Sequence, residues 1–397
     1  MKNPLQSLQD HGQSVWLDYL RRSLITSGDL KRMIEHDGVR GLTSNPSIFA
    51  QAIAGTNEYR YMLEAPESQG LDAKALYERI AVRDIQDAAD LLRPVYQASK
   101  RRDGYVSLEV SPRLAHDTRG TLEEARRLWK TVARENLMIK VPATLEGIPA
   151  FQQLISEGIN VNVTLLFAQE TYERVVEAYL RGLERLLEQS GDLSKVASVA
   201  SFFISRIDTA VDHWITVRLK ESFERGEEVR LHSLLGKVAI ANAKIAYQKY
   251  LKLFHGERWK TLSHHGAQTQ RLLWASTGTK NPAFSDVVYV EELIGPDTVN
   301  TIPPATLDAF RAHGRARSTL TENIGGAIII MAFADRAGIP LQELTDKLLD
   351  DGVKQFAEAF DQLLSATSRT GKEPDRDPMG MLELKLMKDL YEERKHA

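Results

Sequence analysis

Nearly uninterrupted apolar runs recur along the chain, separated by longer segments in which apolar residues return every third or fourth position. The runs occupy residues 14–19, 39–44, 105–110, 137–142, 159–165, 196–204 and 271–276, with a weaker eighth at 299–302. A strand that is apolar on both faces must be covered on both, which is the pattern of a parallel sheet wrapped in helices. The segments between them, such as 71–97, 121–134 and 169–189, carry the helical period. Thr121-Leu-Glu-Glu124 offers a capping box, and Gln189-Ser-Gly-Asp192 offers a helix stop.

Repeated strand–helix units in this number predict an α/β fold closed into a (β/α)8 TIM-type barrel. The open, doubly wound alternative lacks its glycine-rich fingerprint, because Gly314 and Gly325-Gly326 are not placed between a strand and a helix. The expected organisation is one barrel domain over residues 1–365 with a helical insertion at about 208–253. Residues 366–397 then form a polar linker and a C-terminal helix packed on the barrel, with helix over 341–365, a connection over 367–379 and a last helix over 382–393. The longest apolar stretch, Ile324-Gly-Gly-Ala-Ile-Ile-Ile-Met-Ala-Phe-Ala334, is shorter than the roughly 18 residues of a membrane span and reads as a buried helix.

Composition narrows the function classes. With 397 residues, 43% of them hydrophobic, the chain can bury a large core. A formal net charge of -3 and scattered basic residues, as in Lys100-Arg-Arg102, give no general attraction to nucleic acid or anionic membrane. The absence of cysteine excludes disulfides, thiolate metal sites and cysteine nucleophiles. It is compatible with a reducing cytoplasm, and the polar N-terminus does not resemble a signal peptide. A cytoplasmic protein is expected.

Barrels build active sites at the C-terminal ends of their strands. In this chain those ends are polar on one strand after another: Asp18; Thr43, Ser44 and Asn45; Glu109; Lys140; Asn160, Asn162 and Thr164; Ser201, Ser205 and Arg206; Ser276 and Lys280. Residues two apart in a strand share a face, so Asn160, Asn162 and Thr164 can all point inward. Burying so many amides and hydroxyls costs free energy unless they are hydrogen-bonded, which a polar pocket around Lys140 would satisfy. Each residue alone has a plainer reading. Lys140 could snorkel or pair with a buried carboxylate, Asp18 could cap a turn, Asn45 could stabilise the turn before Pro46, and Asn162 could serve a structural network.

The set together permits specific chemistry. Burial strips water from an ammonium and favours the free amine, which can attack a ketose carbonyl and form a Schiff base. Glu109 is placed to shuttle protons during imine formation, and Asp18 to take and return the C4 hydroxyl proton. Asn45 and Asn162 can hold substrate hydroxyls, while Thr43, Thr164 and Ser201 orient the acid–base groups and water. Arg206, Ser276 and Lys280 offer a cationic phosphate site.

At these residues the chain resembles transaldolase, in its longer bacterial form. The resemblance rests on Gly41-Leu-Thr-Ser-Asn-Pro-Ser47, Ser107-Leu-Glu-Val-Ser111, Ile139-Lys-Val-Pro-Ala143 and Gly158-Ile-Asn-Val-Asn-Val-Thr-Leu-Leu-Phe167. Ser201-Phe-Phe-Ile-Ser-Arg-Ile-Asp208 and Trp274-Ala-Ser-Thr-Gly-Thr-Lys280 extend it along the barrel. It implies transfer of a dihydroxyacetone unit from fructose 6-phosphate or sedoheptulose 7-phosphate to erythrose 4-phosphate or glyceraldehyde 3-phosphate, in the non-oxidative pentose phosphate pathway. It also implies a barrel that needs no metal or organic cofactor. The family's Schiff-base lysine falls on Lys140, its acid–base carboxylates on Asp18 and Glu109, and its water-binding threonine on Thr164. Its substrate asparagines fall on Asn45 and Asn162, a substrate serine on Ser201, and its phosphate site on Arg206 and Ser276.

One departure is visible. Shorter members carry a second phosphate-site arginine soon after the Ser276 match, where this chain has Thr277-Gly-Thr-Lys280; lysine supplies charge without a planar fork. No complete fused second enzyme is expected after the barrel within these 397 residues. The alternatives are a fructose 6-phosphate aldolase, which would release free dihydroxyacetone, and a noncatalytic sugar-phosphate binding protein. A metal-dependent aldolase is disfavoured, since His264-His265 lacks an evident ligand pattern and reads as surface or structural. The expected partners are small sugar phosphates, with no nucleic acid and no membrane, for a monomer or homodimer.

Overall fold

The computed structural model describes residues 3–54, 58–65, 68–221 and 225–369. Eight parallel strands close into a barrel in sequence order: β1 (Gln13–Asp18), β2 (Val39–Thr43), β3 (Tyr105–Glu109), β4 (Leu137–Pro142), β5 (Val161–Leu166), β6 (Ser198–Phe203), β7 (Arg271–Ala275) and β8 (Thr298–Ile302). All eight expected strands are present, including the weak eighth. Val15, Leu17, Val106, Leu108, Ile139, Val141, Val161 and Val163 are fully or almost fully buried, as strands covered by helices require. The pairing register puts Glu109 beside Lys140, Lys140 beside Asn162, and Asp18 beside Thr43. Paired residues in a parallel sheet share a face, so this register collects polar side chains at one height inside the barrel.

The other end is plugged. The Arg271 guanidinium, 4% exposed, donates to Ser14 Oγ (2.8 Å), the Arg102 carbonyl (2.5 Å) and Asp103 Oδ1 (2.9 Å). Asp103 also accepts from the Trp16 indole N–H and from the Ser14 hydroxyl. Gly41 makes room for that indole, because a Cβ there would lie 2.4 Å from the ring. Asn160 belongs to this end and not to the polar mouth. It precedes β5, donates to the carbonyls of Glu135 and Leu137, and accepts from the Ala197 N–H, tying three strand starts together. The expected strand over 159–165 begins instead at Val161, which leaves Asn160 ahead of its N-terminal end, away from the mouth.

Helix Thr118–Val132 also starts earlier than expected. Its cap is Asp117, which accepts from the Gly120 N–H at 2.9 Å, while Thr121 donates to the Leu114 carbonyl inside the first turn. The insertion between β6 and β7 comprises helices Ser205–Glu221, Arg225–His232, Val238–Leu253 and Glu257–His264, with His264 and His265 exposed at its end. After the barrel, Ile324–Arg336 and Leu341–Ser368 meet at 93° across Gly338, whose φ of +74° suits a residue without a side chain. The expectation that residues 324–334 form a buried helix is only half right. The segment is helical, but Ile328, Ile329 and Phe333 are 56%, 54% and 44% exposed.

Helix Leu341–Arg369 lies across the C-terminal mouth, packed on helices Pro46–Ala54 and Ala73–Ala98. It continues through Thr367, so the expected linker does not begin at 366; the expected helix at 382–393 lies outside the described residues. No single described helix is long and apolar enough to cross a membrane.

Candidate active site

A cavity of about 190 Å³ opens at the mouth of the barrel. Its wall includes Asp18, Thr43, Asn45, Lys140, Thr164, Ser201, Arg206, Ser276 and Lys280, nine of the residues singled out from the strand ends. A larger and more open depression of about 640 Å³, around Lys100, Arg101 and Arg102, contains none of them.

Lys140 is at the centre. Its Nζ lies 3.3 Å from Glu109 Oε2 and donates to the Ser44 carbonyl at 3.2 Å. The Phe356 ring, from the helix across the mouth, stands 5.7 Å from it. The amine is thus 5% exposed but not in hydrocarbon: it pairs with a buried carboxylate and keeps one apolar face. The plainer reading of a paired lysine and the chemical one describe the same contact.

Both carboxyl groups near Lys140 are held above the ordinary carboxylate range. Burial is the main cause for Glu109, opposed by the Lys140 charge. Burial also dominates for Asp18, opposed by Lys140, a hydrogen bond from Thr43, and the charges of Arg206 and Lys280. Thr43 Oγ1 lies 2.7 Å from Asp18 Oδ1 and 2.6 Å from Thr301 Oγ1, so a hydroxyl chain from β8 through β2 orients the carboxylate. Thr301 was missed in the sequence because the eighth strand is the shortest apolar run and threonines are ordinary strand residues.

Asn162 lies just beneath the cavity with no exposed surface. Its Nδ2 donates to Ser107 Oγ at 3.1 Å, and its Oδ1 accepts from Ser201 Oγ at 2.7 Å. Because an amide nitrogen carries two hydrogens, one donor remains for another partner. Asn45 both lines the cavity and accepts from the Ile48 N–H, which fixes the start of helix Pro46–Ala54. Thr164 Oγ1, on the cavity wall, is a buried side-chain oxygen with no hydrogen-bond partner among the described residues, whereas Glu109 Oε2 faces the Lys140 amine. Thr164 therefore has a hydroxyl to offer to a polar group in the cavity.

The opposite wall is cationic. Arg206 packs over the Phe203 ring at 5.4 Å and gives one hydrogen bond to Gln355 Oε1 at 3.1 Å. Burial depresses the basicity of its guanidinium, with the Asp18 charge opposing. Ser276 faces Ser205 across 3.0 Å and sits at a φ of +56°, a strained region for a non-glycine residue that recurs at binding sites. No group of three or more metal-ligating side chains occurs among the described residues.

Residues 15–367 match the family model described as Transaldolase/Fructose-6-phosphate aldolase. A protein of Nostoc punctiforme named Transaldolase 2 is 48% identical over 367 residues, covering 92% of this chain and 96% of its own length. Proteins named Transaldolase from Trichodesmium erythraeum and Thiobacillus denitrificans are each 47% identical, over 92% and 89% of this chain and 96% of their own lengths. The chain is a member of the transaldolase family and, with it, a transferase enzyme.

Proposed function

We propose that the enzyme moves a dihydroxyacetone unit between sugar phosphates through a Schiff base on Lys140. The donors are fructose 6-phosphate or sedoheptulose 7-phosphate, and the acceptors erythrose 4-phosphate or glyceraldehyde 3-phosphate, as in the non-oxidative pentose phosphate pathway. The observation that carries the reading is the Lys140 amine 3.3 Å from Glu109, in a cavity that also presents Asp18, Arg206 and Lys280.

The Lys140 nitrogen attacks the ketose C2 carbonyl, and Glu109 supplies the proton with which the carbinolamine oxygen leaves as water. The upward push on Glu109 suits a donor. Asp18 then takes the C4 hydroxyl proton as the C3–C4 bond breaks; the electron pair moves to the iminium, and the aldehyde departs. The enamine adds to the acceptor aldehyde, Asp18 returns its proton, and water hydrolyses the new imine. Thr164 holds that water, while Asn45, Asn162 and Ser201 hold the sugar hydroxyls. Arg206, Ser276 and Lys280 bind the phosphate. The iminium is itself the electron sink, so the reaction calls for no metal or organic cofactor.

Transfer is distinguished from simple cleavage by its products. With fructose 6-phosphate and erythrose 4-phosphate together, sedoheptulose 7-phosphate should form in step with glyceraldehyde 3-phosphate, with little free dihydroxyacetone. Stoichiometric free dihydroxyacetone, unchanged by the acceptor, would instead make the protein an aldolase.

A further inference from the structure

Two adjacent residues of helix Leu341–Arg369 meet two different side chains of the cavity wall, Lys140 and Arg206. Phe356, which is 5% exposed, faces the Lys140 amine at 5.7 Å, and Gln355 accepts a hydrogen bond from Arg206 Nη1 at 3.1 Å. Successive helical residues diverge by about 100°, so one turn can address both side chains only if the helix lies close over the mouth. Gly352 permits that approach. A Cβ there would sit 2.9 Å from Leu165 Cδ2 on β5.

Arg206 is a half-buried guanidinium with no carboxylate in ion-pair contact among the described residues, and its single side-chain hydrogen bond goes to a neutral amide. That choice has a consequence. A carboxylate at position 355 would neutralise the arginine and compete with an incoming phosphate, whereas an amide oxygen orients the fork and leaves its charge available. The Gln355 Nε2 hydrogens remain free to meet a phosphate oxygen beside it.

We propose that Gln355 is a specificity-determining residue for phosphorylated sugars: it positions the Arg206 guanidinium without discharging it. The inference rests on the Schiff-base reading of Lys140 and deepens its phosphate site.

The test is borohydride trapping on Lys140 with two probes, fructose 6-phosphate and unphosphorylated dihydroxyacetone, in the full-length parent, Gln355→Glu and Gln355→Ala. Gln355→Glu should raise the half-saturating fructose 6-phosphate concentration about tenfold, the effect of roughly 1.4 kcal/mol of competing charge. Gln355→Ala should raise it about threefold through loss of one orienting hydrogen bond. The half-saturating dihydroxyacetone concentration should stay at the parental value in both. Equal shifts for the two probes would mean a general disturbance of the mouth, and no shift for either would mean that Gln355 is a bystander; each overturns the proposal. A parent that traps neither sugar on Lys140 would instead overturn the Schiff-base reading itself.

Discussion

In the proposed mechanism Asp18, on the cavity wall, and Glu109, buried beside Lys140, meet different demands. Glu109 must give a proton, and burial that raises its pKa helps it keep one. Asp18 must accept a proton, yet burial raises it too, and only Lys140, Thr43, Arg206 and Lys280 pull it back. The sign gives a test. A base raised above the ordinary range of 3.8 is lost by protonation as pH falls through that raised value, so the acid limb of kcat/KM lies above the ordinary carboxylate range. Lys280→Ala removes one of the cations that favour the carboxylate, so the acid limb should move to higher pH while KM for phosphorylated sugars rises. An unmoved or lowered limb would detach Lys280 from Asp18. The same upward shifts cost stability: each group favours folding below its unfolded-state pKa, and that contribution is lost as pH rises through the folded-state value. The proposed chemistry uses both of these raised carboxyls.

The element that most changes the site is helix Leu341–Arg369. Phe360, 3% exposed, meets the Tyr77 ring edge-on at 5.6 Å, while its neighbour Asp361 pairs with Arg113 in the open. Truncating a buried aromatic costs about 3–5 kcal/mol, against about 0–1 kcal/mol for an exposed ion pair. Phe360→Ala should therefore loosen this helix, lowering amide-exchange protection over 341–369 while β1–β8 stay protected; Asp361→Ala should do neither. Uniform loss across the barrel would contradict an independently docked cover. How far the sequence reaches follows from the same contrast. Strands were readable because their apolar runs are local, and nine of the cavity residues could be found because they cluster at or just after strand ends. Gln355 and Phe356 could not, since an amphipathic helix declares an apolar face but not what that face covers. For the same reason residues 324–334 looked buried: apolarity does not say which side meets the barrel. The cap at Asp117 was overlooked because Thr121 offered an equally good pattern three residues inside the helix.

Across the whole molecule, stability and chemistry occupy opposite ends of the barrel. The Arg271–Asp103 pair, with Ser14 and Trp16, closes the bottom; Lys140 and its neighbours line the top. Breaking a buried ion pair from one side costs about 3–5 kcal/mol, so Arg271→Met should lower Tm by roughly 4–6 °C in a chain of this length. Turnover per folded molecule at moderate temperature should not change, and an equal loss of turnover would mean that the plug shapes the mouth. In the proposed function the barrel holds the Lys140 amine beside the buried Glu109 carboxyl, at a cavity that takes a sugar phosphate. That claim is tested most directly by borohydride reduction of the enzyme with fructose 6-phosphate, followed by peptide mass analysis. A three-carbon adduct on Lys140, absent from a folded Lys140→Ala variant, is the predicted result. An adduct on another lysine, or transfer that survives in Lys140→Ala, would contradict it.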